Sequence, residues 1–335
     1  MHGIAGGGHK LRPGVTNAGF VKGPIHALAA CVRPTFTGCW RNRFDLLWGD
    51  WSSIEARALP WLSLHPAADD LLARYRRNED VYRYQAGRHL NKKPDEIEDW
   101  ERQAYGKVPI LSLGYGGGEG AFAAMARAYG VNMEESERRE IVGEWREANP
   151  WATKFWLNTE DAAMWAMKHP GSSYSAGRLS YRFDPDALAG LGALFCELPS
   201  GRELCYPDPS IDVVRKPWGT EALGITARKG AWRPKAGEED NWPRVTLWYG
   251  LLVENGTQAT CADILTTALL RAKRREWGLL VAGHTHDELL VETDDPEADA
   301  PILQALMQTR PGWPGDDALP LHAEVKFGFR YKVSA

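Results

Sequence analysis

The sequence predicts an α+β fold, an antiparallel sheet interrupted by an inserted helical subdomain. Three observations carry this. An apolar run at Phe44, Leu46, Leu47 and Trp48 reads as a strand, a helical block follows to about residue 170, and from Leu194 short β-type runs alternate with turns. With 335 residues the chain can bury a real core, enough for one elaborate domain or two modest ones.

Residues 1–43 are rich in Gly and Pro (GIAGGGHKLRPG, VKGP) and read as an irregular arm. The first strand ends at Asp50, and 53–64 has helical spacing, with Ile54, Ala58, Leu59 and Leu62 on one face. Helical segments are expected at 70–77, 81–90, 97–113, 121–128, 134–148 and 151–168, broken at Pro94, Gly116–Gly118 and Pro150. LFCELPSGRELCYP (194–207) reads as a hairpin about Ser200 and Gly201, and the Pro- and Gly-rich 207–243 as a long surface excursion. A strand at 245–249, a long helix at 254–276, a hairpin at 279–293, a short helix at 301–308 and the strand LHAEVKFGFRYKV complete the chain.

Composition excludes several classes. No apolar run approaches the ~20 residues of a membrane span and no signal peptide opens the chain, so the expectation is a cytoplasmic protein without a membrane partner. Five cysteines (31, 39, 196, 205, 261) without CxxC spacing fit reduced thiols better than a disulfide or zinc framework. The net charge of -4 gives no global sign of nucleic-acid binding; RYRR (74–77) and RAKRR (271–275) are local basic clusters of the kind usually found on solvated helix faces. The 15 tryptophans are scattered and read as packing residues.

The chemistry concentrates in two acidic stretches. In GDWSSIEAR (49–57), Asp50 stands where a strand gives way to a helix, a place that alone fits a helix cap. In HTHDELLVE (284–292), Asp287 and Glu288 stand at a turn between two strand-like segments. If both turns lie in one sheet, their carboxylates can hold a divalent cation. GYGGGEG (114–120) lacks the GKS or GKT ending of a P-loop, NGT (255–257) matches a glycosylation sequon without signs of secretion, and His284 and His286 form an HxH pair, but His65, His89, His169 and His322 make no recognisable zinc hydrolase set with it.

Four motifs resemble those of family A DNA polymerases, the DNA polymerase I family, and occur in that family's order. They are DWSSIEAR (50–57), Lys-x7-Tyr-Gly (107–116), ENGTQ (254–258) and HDE (286–288). The likeness is strongest to phage and prophage members, which have a YGG-like turn, an ENxxQA helix and a closing LPLxAE...RY, and it covers residues 44–332. It implies a right-hand architecture with palm at 44–64, helical fingers at 65–190 and palm again at 191–335. The implied function is template-directed addition of deoxynucleotides to a primer 3′ hydroxyl by two-metal phosphoryl transfer, with primer-template DNA and dNTPs as partners. Two Mg²⁺ ions, with Mn²⁺ able to substitute, would sit on Asp50 and Asp287, supported by Glu288.

The remaining roles are likewise what the resemblance implies. Lys107 contacts the triphosphate and protonates the leaving pyrophosphate, Arg102 adds a phosphate contact, and Tyr115 closes over the nascent base pair. Leu111 stands where many members carry Phe or Tyr. Glu55 crowds the position of a 2′ hydroxyl. Arg57 braces the loop or pairs with a local carboxylate, His286 lies near the primer end, and Gln258 and Asn255 face the minor groove of the terminal pair.

Two departures from the family pattern bear on geometry. Arg102 and Lys107 are five residues apart where the family has four, which in a regular helix turns the arginine about 100° off the lysine face. Pro109 lacks an N–H, so the helix is expected to start late or kink at Val108. A third departure is upstream. About 45 residues precede Asp50, too few for a thumb or a 3′ to 5′ exonuclease, so the expectation is palm and fingers alone. The alternative is a palm and fingers piece of a split polymerase, or an inactive nucleic-acid-binding remnant, needing a separate thumb or exonuclease chain.

Overall fold

The computed structural model describes residues 36–38, 45–215, 219–230, 242–274 and 278–331. Strand β1 (Asp45–Trp51) leads into α1 (Ile54–Ser63), followed by α2 (Asp69–Arg76) and α3 (Val81–Leu90). Helix α4 begins at Asp99–Glu101, widens into a π-helical stretch at Arg102–Lys107 and returns to α geometry at Val108–Leu113. Then come α5 (Glu119–Ala128), α6 (Glu135–Ala148) and α7 (Pro150–Lys168). The β-rich part holds β2 (Ser173–Ala176), β3 (Leu179–Asp184), β4 (Ala193–Glu197), β5 (Glu203–Pro207), β6 (Ser210–Arg215), β7 (Glu221–Arg228) and β8 (Arg244–Leu247). Helix α8 (Tyr249–Ala272), β9 (Leu280–Thr285), β10 (Glu288–Thr293), α9 (Pro296–Gln308) and β11 (Ala323–Gly328) close the fold.

The expected α+β architecture is present. Among the described residues three antiparallel sheets form, ordered β11-β1-β10-β9, β2-β3-β4-β5 and β6-β7-β8. The first is built on β1, whose alternate residues face opposite ways. Leu47 and Trp51 enter the main core, whereas Leu46 and Trp48 join Tyr331 in a small cluster on the other face. On the core side α9 lies against β1: Trp51 Nε1 donates to the Met307 carbonyl at 2.9 Å. A Cβ at Gly49 would stand 2.3 Å from Met307 Sδ, so glycine there permits the close approach.

The strands begin earlier than the sequence analysis places them. Helix ends at Lys168 and β2 opens at Ser173, inside the span assigned to helical fingers up to residue 190. Ala176, Leu179 and Tyr181 are buried about a turn at Gly177, whose φ is +57°. The excursion at 207–243 holds β6 and β7, short strands between Pro and Gly breaks, with Val214 buried and Val213 exposed. Helix α8 starts five residues before 254, and α9 starts at Pro296 with Pro301 inside it. Of the arm at 1–43 only 36–38 are described; there Thr37 bridges to Arg330, and the rest of that expectation, with Cys31 and Cys39, lies outside the described residues. Among the described residues Cys196, Cys205 and Cys261 are free thiols, and no helix is long and apolar enough to cross a membrane.

Helix α4 neither starts late nor kinks at Pro109. It widens instead, and the Val108 N–H reaches back five residues to the Gln103 carbonyl. A proline ring collides with the carbonyl four residues before it, and the wide turn moves the carbonyls preceding Pro109 out of that register. A five-residue repeat also brings Arg102 and Lys107 onto one side, which corrects the 100° offset expected of a regular helix.

Several tryptophans tie the helical part to α8. Trp145 stacks on Trp156 (centroids 6.2 Å apart, 9° between planes) and Trp156 on Tyr249 (5.8 Å, 8°), while Trp156 Nε1 donates to the Gly114 carbonyl at 2.8 Å. Gly116, with φ +78°, passes so near Tyr249 that a Cβ would lie 2.3 Å from its ring. The basic clusters serve structure: Arg74 pairs with Asp70 and Glu79 at 2.9 Å and Arg77 pairs with Glu79 at 2.6 Å, while Arg271 caps the Thr309 carbonyl at 2.7 Å.

Gly106 marks where α4 crosses α3, because a Cβ there would stand 2.1 Å from the Tyr82 carbonyl oxygen. Gly106→Ala is expected to destabilise the fold by about 1–3 kcal/mol through overpacking against backbone. The loss should lower the urea midpoint at unchanged slope; an unchanged midpoint would show that the helices are not in this contact.

Candidate active site

Asp50 lies within β1, three residues before the Ser53 N-cap of α1, which rules out the helix-cap role. Across the sheet it is in register with Glu288 on one side and Glu324 on the other, so all three side chains share a face. The β9–β10 turn is two residues long, with His286 in left-handed conformation (φ +53°), and it carries Asp287 back to the end of β1. There the Trp51 N–H reaches the Asp287 carbonyl at 3.4 Å, and the Asp50 and Asp287 carboxyl groups are hydrogen-bonded to each other. Burial first, and the charge of Glu288 after it, push the Asp287 carboxyl above its ordinary value.

Carboxylates directly opposite one another in a sheet repel. Their crowding at this corner is the arrangement that a hard divalent cation relieves. Among the described residues no three His, Cys, Asp or Glu side chains converge on one point as a closed metal cage. Two carboxylates are sufficient for Mg²⁺, which keeps several waters and takes further oxygens from substrate phosphates, so the pair fits that ion.

Lys107 faces this corner from α4. It is half-buried, its Nζ lies 5.3 Å from the centre of the Tyr129 ring, and its pKa is lowered by burial and by Arg102, while Asp50 works in the opposite direction. Both Arg102 and Asp50 are therefore within electrostatic reach of the ammonium. The Arg102 guanidinium is engaged, pairing with Asp80 at 2.6 Å and lying over the Tyr82 ring at 4.9 Å. Leu111 is partly exposed on the same helix. Tyr115 stands two residues beyond the helix end, yet its hydroxyl reaches Glu55 Oε2 at 3.4 Å. Burial raises Glu55, with Asp287 and Glu254 adding to it, and raises Tyr115 well above its ordinary value.

Helix α8 contributes a third side. Glu254, Gln258 and Cys261 lie on one stripe, at i, i+4 and i+7. Glu254 acts on Glu55, Cys261 is within reach of both Glu55 and Asp287, and Gln258 on the same stripe is exposed. Asn255 points elsewhere, donating to the Tyr206 hydroxyl at 3.3 Å. The sequon reading fails because Asn255 lies mid-helix. Arg57 is 3 % exposed and bonds only oxygens of neutral groups: Ser52 O at 2.6 Å, Tyr75 O and Pro320 O at 3.1 Å, and Asn78 Oδ1 at 3.4 Å. It braces the β1–α1 turn and pairs with no carboxylate in those bonds.

Sequence reasoning missed Glu254, Tyr129 and Tyr331. Glu254 had a signal, since it stands four residues before Gln258; Tyr331 had its place in the RY ending; Tyr129 had none.

The chain is 31% identical over 299 residues to a DNA polymerase of Bacillus phage SP02, a match covering 89% of this chain and 42% of the relative. The chain thus spans well under half the length of that protein. Its fold is similar to part of the polymerase domain of Pol1 from M. smegmatis, solved with DNA primer-template and dNTP, with a TM-score of 0.57 at 17% identity over 90% of this chain and 42% of the other. No family model matches.

The raised Asp287 makes a prediction about stability. A carboxyl that holds its proton more tightly folded than unfolded costs stability as pH rises from the ordinary 3.8 to its raised folded value, and that cost persists above. In chelator at neutral pH, Asp287→Asn should therefore melt at higher temperature than the parent. The gap should narrow as pH falls through the raised value; a gap that ignores pH would show that ionisation is not its cause.

Proposed function

The motif resemblance to family A DNA polymerases extends to sequence and fold over most of the chain, and from that premise we propose that the protein extends a primer on a DNA template. The meeting of Asp50 and Asp287, with Lys107 within reach of Asp50, is the observation that carries this reading. The primer 3′ oxygen bonds to the α-phosphorus of a dNTP while the bond to the departing pyrophosphate breaks. Asp50 and Asp287 would hold divalent cations, Mg²⁺ or Mn²⁺ in its place, with Glu288 behind them. When bound, two such ions ease deprotonation of the attacking hydroxyl and stabilise the leaving oxygen.

The protein's own groups do the rest. Lys107, with its pKa lowered by burial, is suited to give a proton to the leaving pyrophosphate. Arg102 joins it on the phosphates by exchanging Asp80 for the substrate. The Glu55–Tyr115 contact bounds the sugar pocket, where a 2′ hydroxyl would meet a half-buried carboxyl, and Leu111 forms the adjoining apolar wall. Gln258 meets the minor-groove edge of the terminal pair and His286 the primer end, while Asn255, bonded to Tyr206, takes no part. The phage relative supports action in the cytoplasm of a bacterial host.

A second reading draws on the matched span, which is 42% of the phage polymerase. In it, this chain works with a separate thumb- or exonuclease-bearing chain that supplies duplex grip through phosphate contacts. Co-purification with such a chain, and recovery of processivity at raised salt on adding it, would support that version; full processivity of the pure chain would remove it.

Two experiments test the main reading. Mg²⁺-dependent extension of a primed template should fall by roughly 10³-fold or more in Asp50→Ala and in Asp287→Ala. Extension surviving either change in pure protein would overturn the proposal. Lys107→Leu should slow single-turnover incorporation at saturating dNTP by roughly 10²–10⁴-fold and remove the alkaline limb of the pH profile. A parallel drop with the limb retained would reassign the proton to another group.

A further inference from the structure

Tyr331 closes the RY ending of the last motif, and the polymerase reading gives it no task. It is 4 % exposed, and its hydroxyl donates to Oε2 of Glu288, itself 6 % exposed. Its ring meets Trp48 edge-on, centroids 5.7 Å apart at 67°. Trp48 pairs with Leu290 across the sheet, and two residues along each strand Asp50 pairs with Glu288 on the same face. Tyr331 thus sits on the row of side chains that ends in the carboxylates. Its backbone is fixed too: the Tyr331 N–H donates to Phe36 O and the Gly38 N–H to Phe329 O, each at 3.1 Å, about the Thr37–Arg330 bridge. A phenol anchored by ring and backbone offers its hydroxyl from a fixed point.

We propose that Tyr331 is a positioning residue: by holding one oxygen of Glu288 it fixes where that charge lies beside Asp50 and Asp287, and so sets how strongly the pair takes a cation. The proposal rests on the polymerase reading for its catalytic meaning. Hydroxyl-to-carboxylate bonds are short and strong, and at close range the field of a carboxylate changes steeply with its position. Segment 36–38, which holds the Tyr331 backbone, would act on the site through the same phenol.

The test uses the full chain, with Mn²⁺ alone as probe and no DNA, titrated calorimetrically against the parent, Tyr331→Phe, Glu288→Gln and the double variant. Primer extension at saturating dNTP runs alongside. Tyr331→Phe keeps the ring on Trp48, and it should weaken Mn²⁺ binding and slow incorporation by about tenfold each, with KM for dNTP unchanged. The double variant should match Glu288→Gln alone if the phenol acts on the cation through that carboxylate. Parent-like Mn²⁺ affinity in Tyr331→Phe, or single effects that multiply in the double variant, would overturn the proposal. Should melting curves show Tyr331→Phe unfolded, Glu288→Gln decides: weakened Mn²⁺ binding supports the role of that carboxylate and unchanged binding removes it. If no protein extends a primer yet Mn²⁺ affinity falls in Tyr331→Phe, the polymerase reading fails and the positioning role stands.

Discussion

Two carboxyl groups held against each other at the corner of a sheet set the terms for the rest of this fold. The pairing of β1 with β10 brings them together, and a hydrogen bond between the two carboxyl groups holds them there. Side chains on a strand alternate, so a slip of one residue would send Asp50 toward Met307 and bring Gly49 to the site. The register is therefore the quantity the surroundings protect. Leu47 and Trp51 anchor β1 from the core side, the Ser52 N–H bonds the His322 carbonyl at 3.0 Å, and Arg57 gathers oxygens from three separate segments around the turn that follows. Buried cationic braces of this kind act through geometry: their bonds fix positions that burial alone would leave loose.

The helical part is joined to that corner at a few close contacts. Tyr115 reaches Glu55, the glycine turn after it passes under Tyr249, and the stacked rings of Tyr249, Trp156 and Trp145 run from the start of α8 into the helical layer. Lys107 approaches from the opposite bank. The site is thus a junction of the sheet corner, α4 and α8, and none of the three is complete alone.

Much of this could be read from the residues, and the failures have physical causes. The strand ending at Asp50, the hairpin bearing Asp287 and the helix bearing Gln258 announce themselves through runs of apolar residues with clear breaks. The β2–β3 hairpin was equally regular, but Pro170–Gly171 ends the preceding 19-residue helix without announcing a strand, and β2 is only four residues long before the Gly177–Arg178 turn. Strands β6 and β7 were hidden by the Pro and Gly around them, which mark turns whether or not strands lie between. Pairings across long separations were beyond reach: nothing local in ENGTQ says that Asn255 turns to Tyr206, nor does RY say that its tyrosine meets Glu288. The π turn was half legible, since the five-residue spacing and Pro109 both pointed to irregularity without naming its form.

That wide turn has a consequence for helix length. One residue added to a regular helix rotates everything on one side of it by about 100°, which for a helix lining a site would misplace half its side chains at once. Here the wide turn is confined to Arg102–Lys107, so that Lys107, Leu111 and the approach to Tyr115 keep regular helical phase. Only the upstream turn is re-set, and there Arg102 has found Asp80 and Tyr82. A wide turn of this kind can absorb a one-residue change in helix length without rephasing the side chains beyond it.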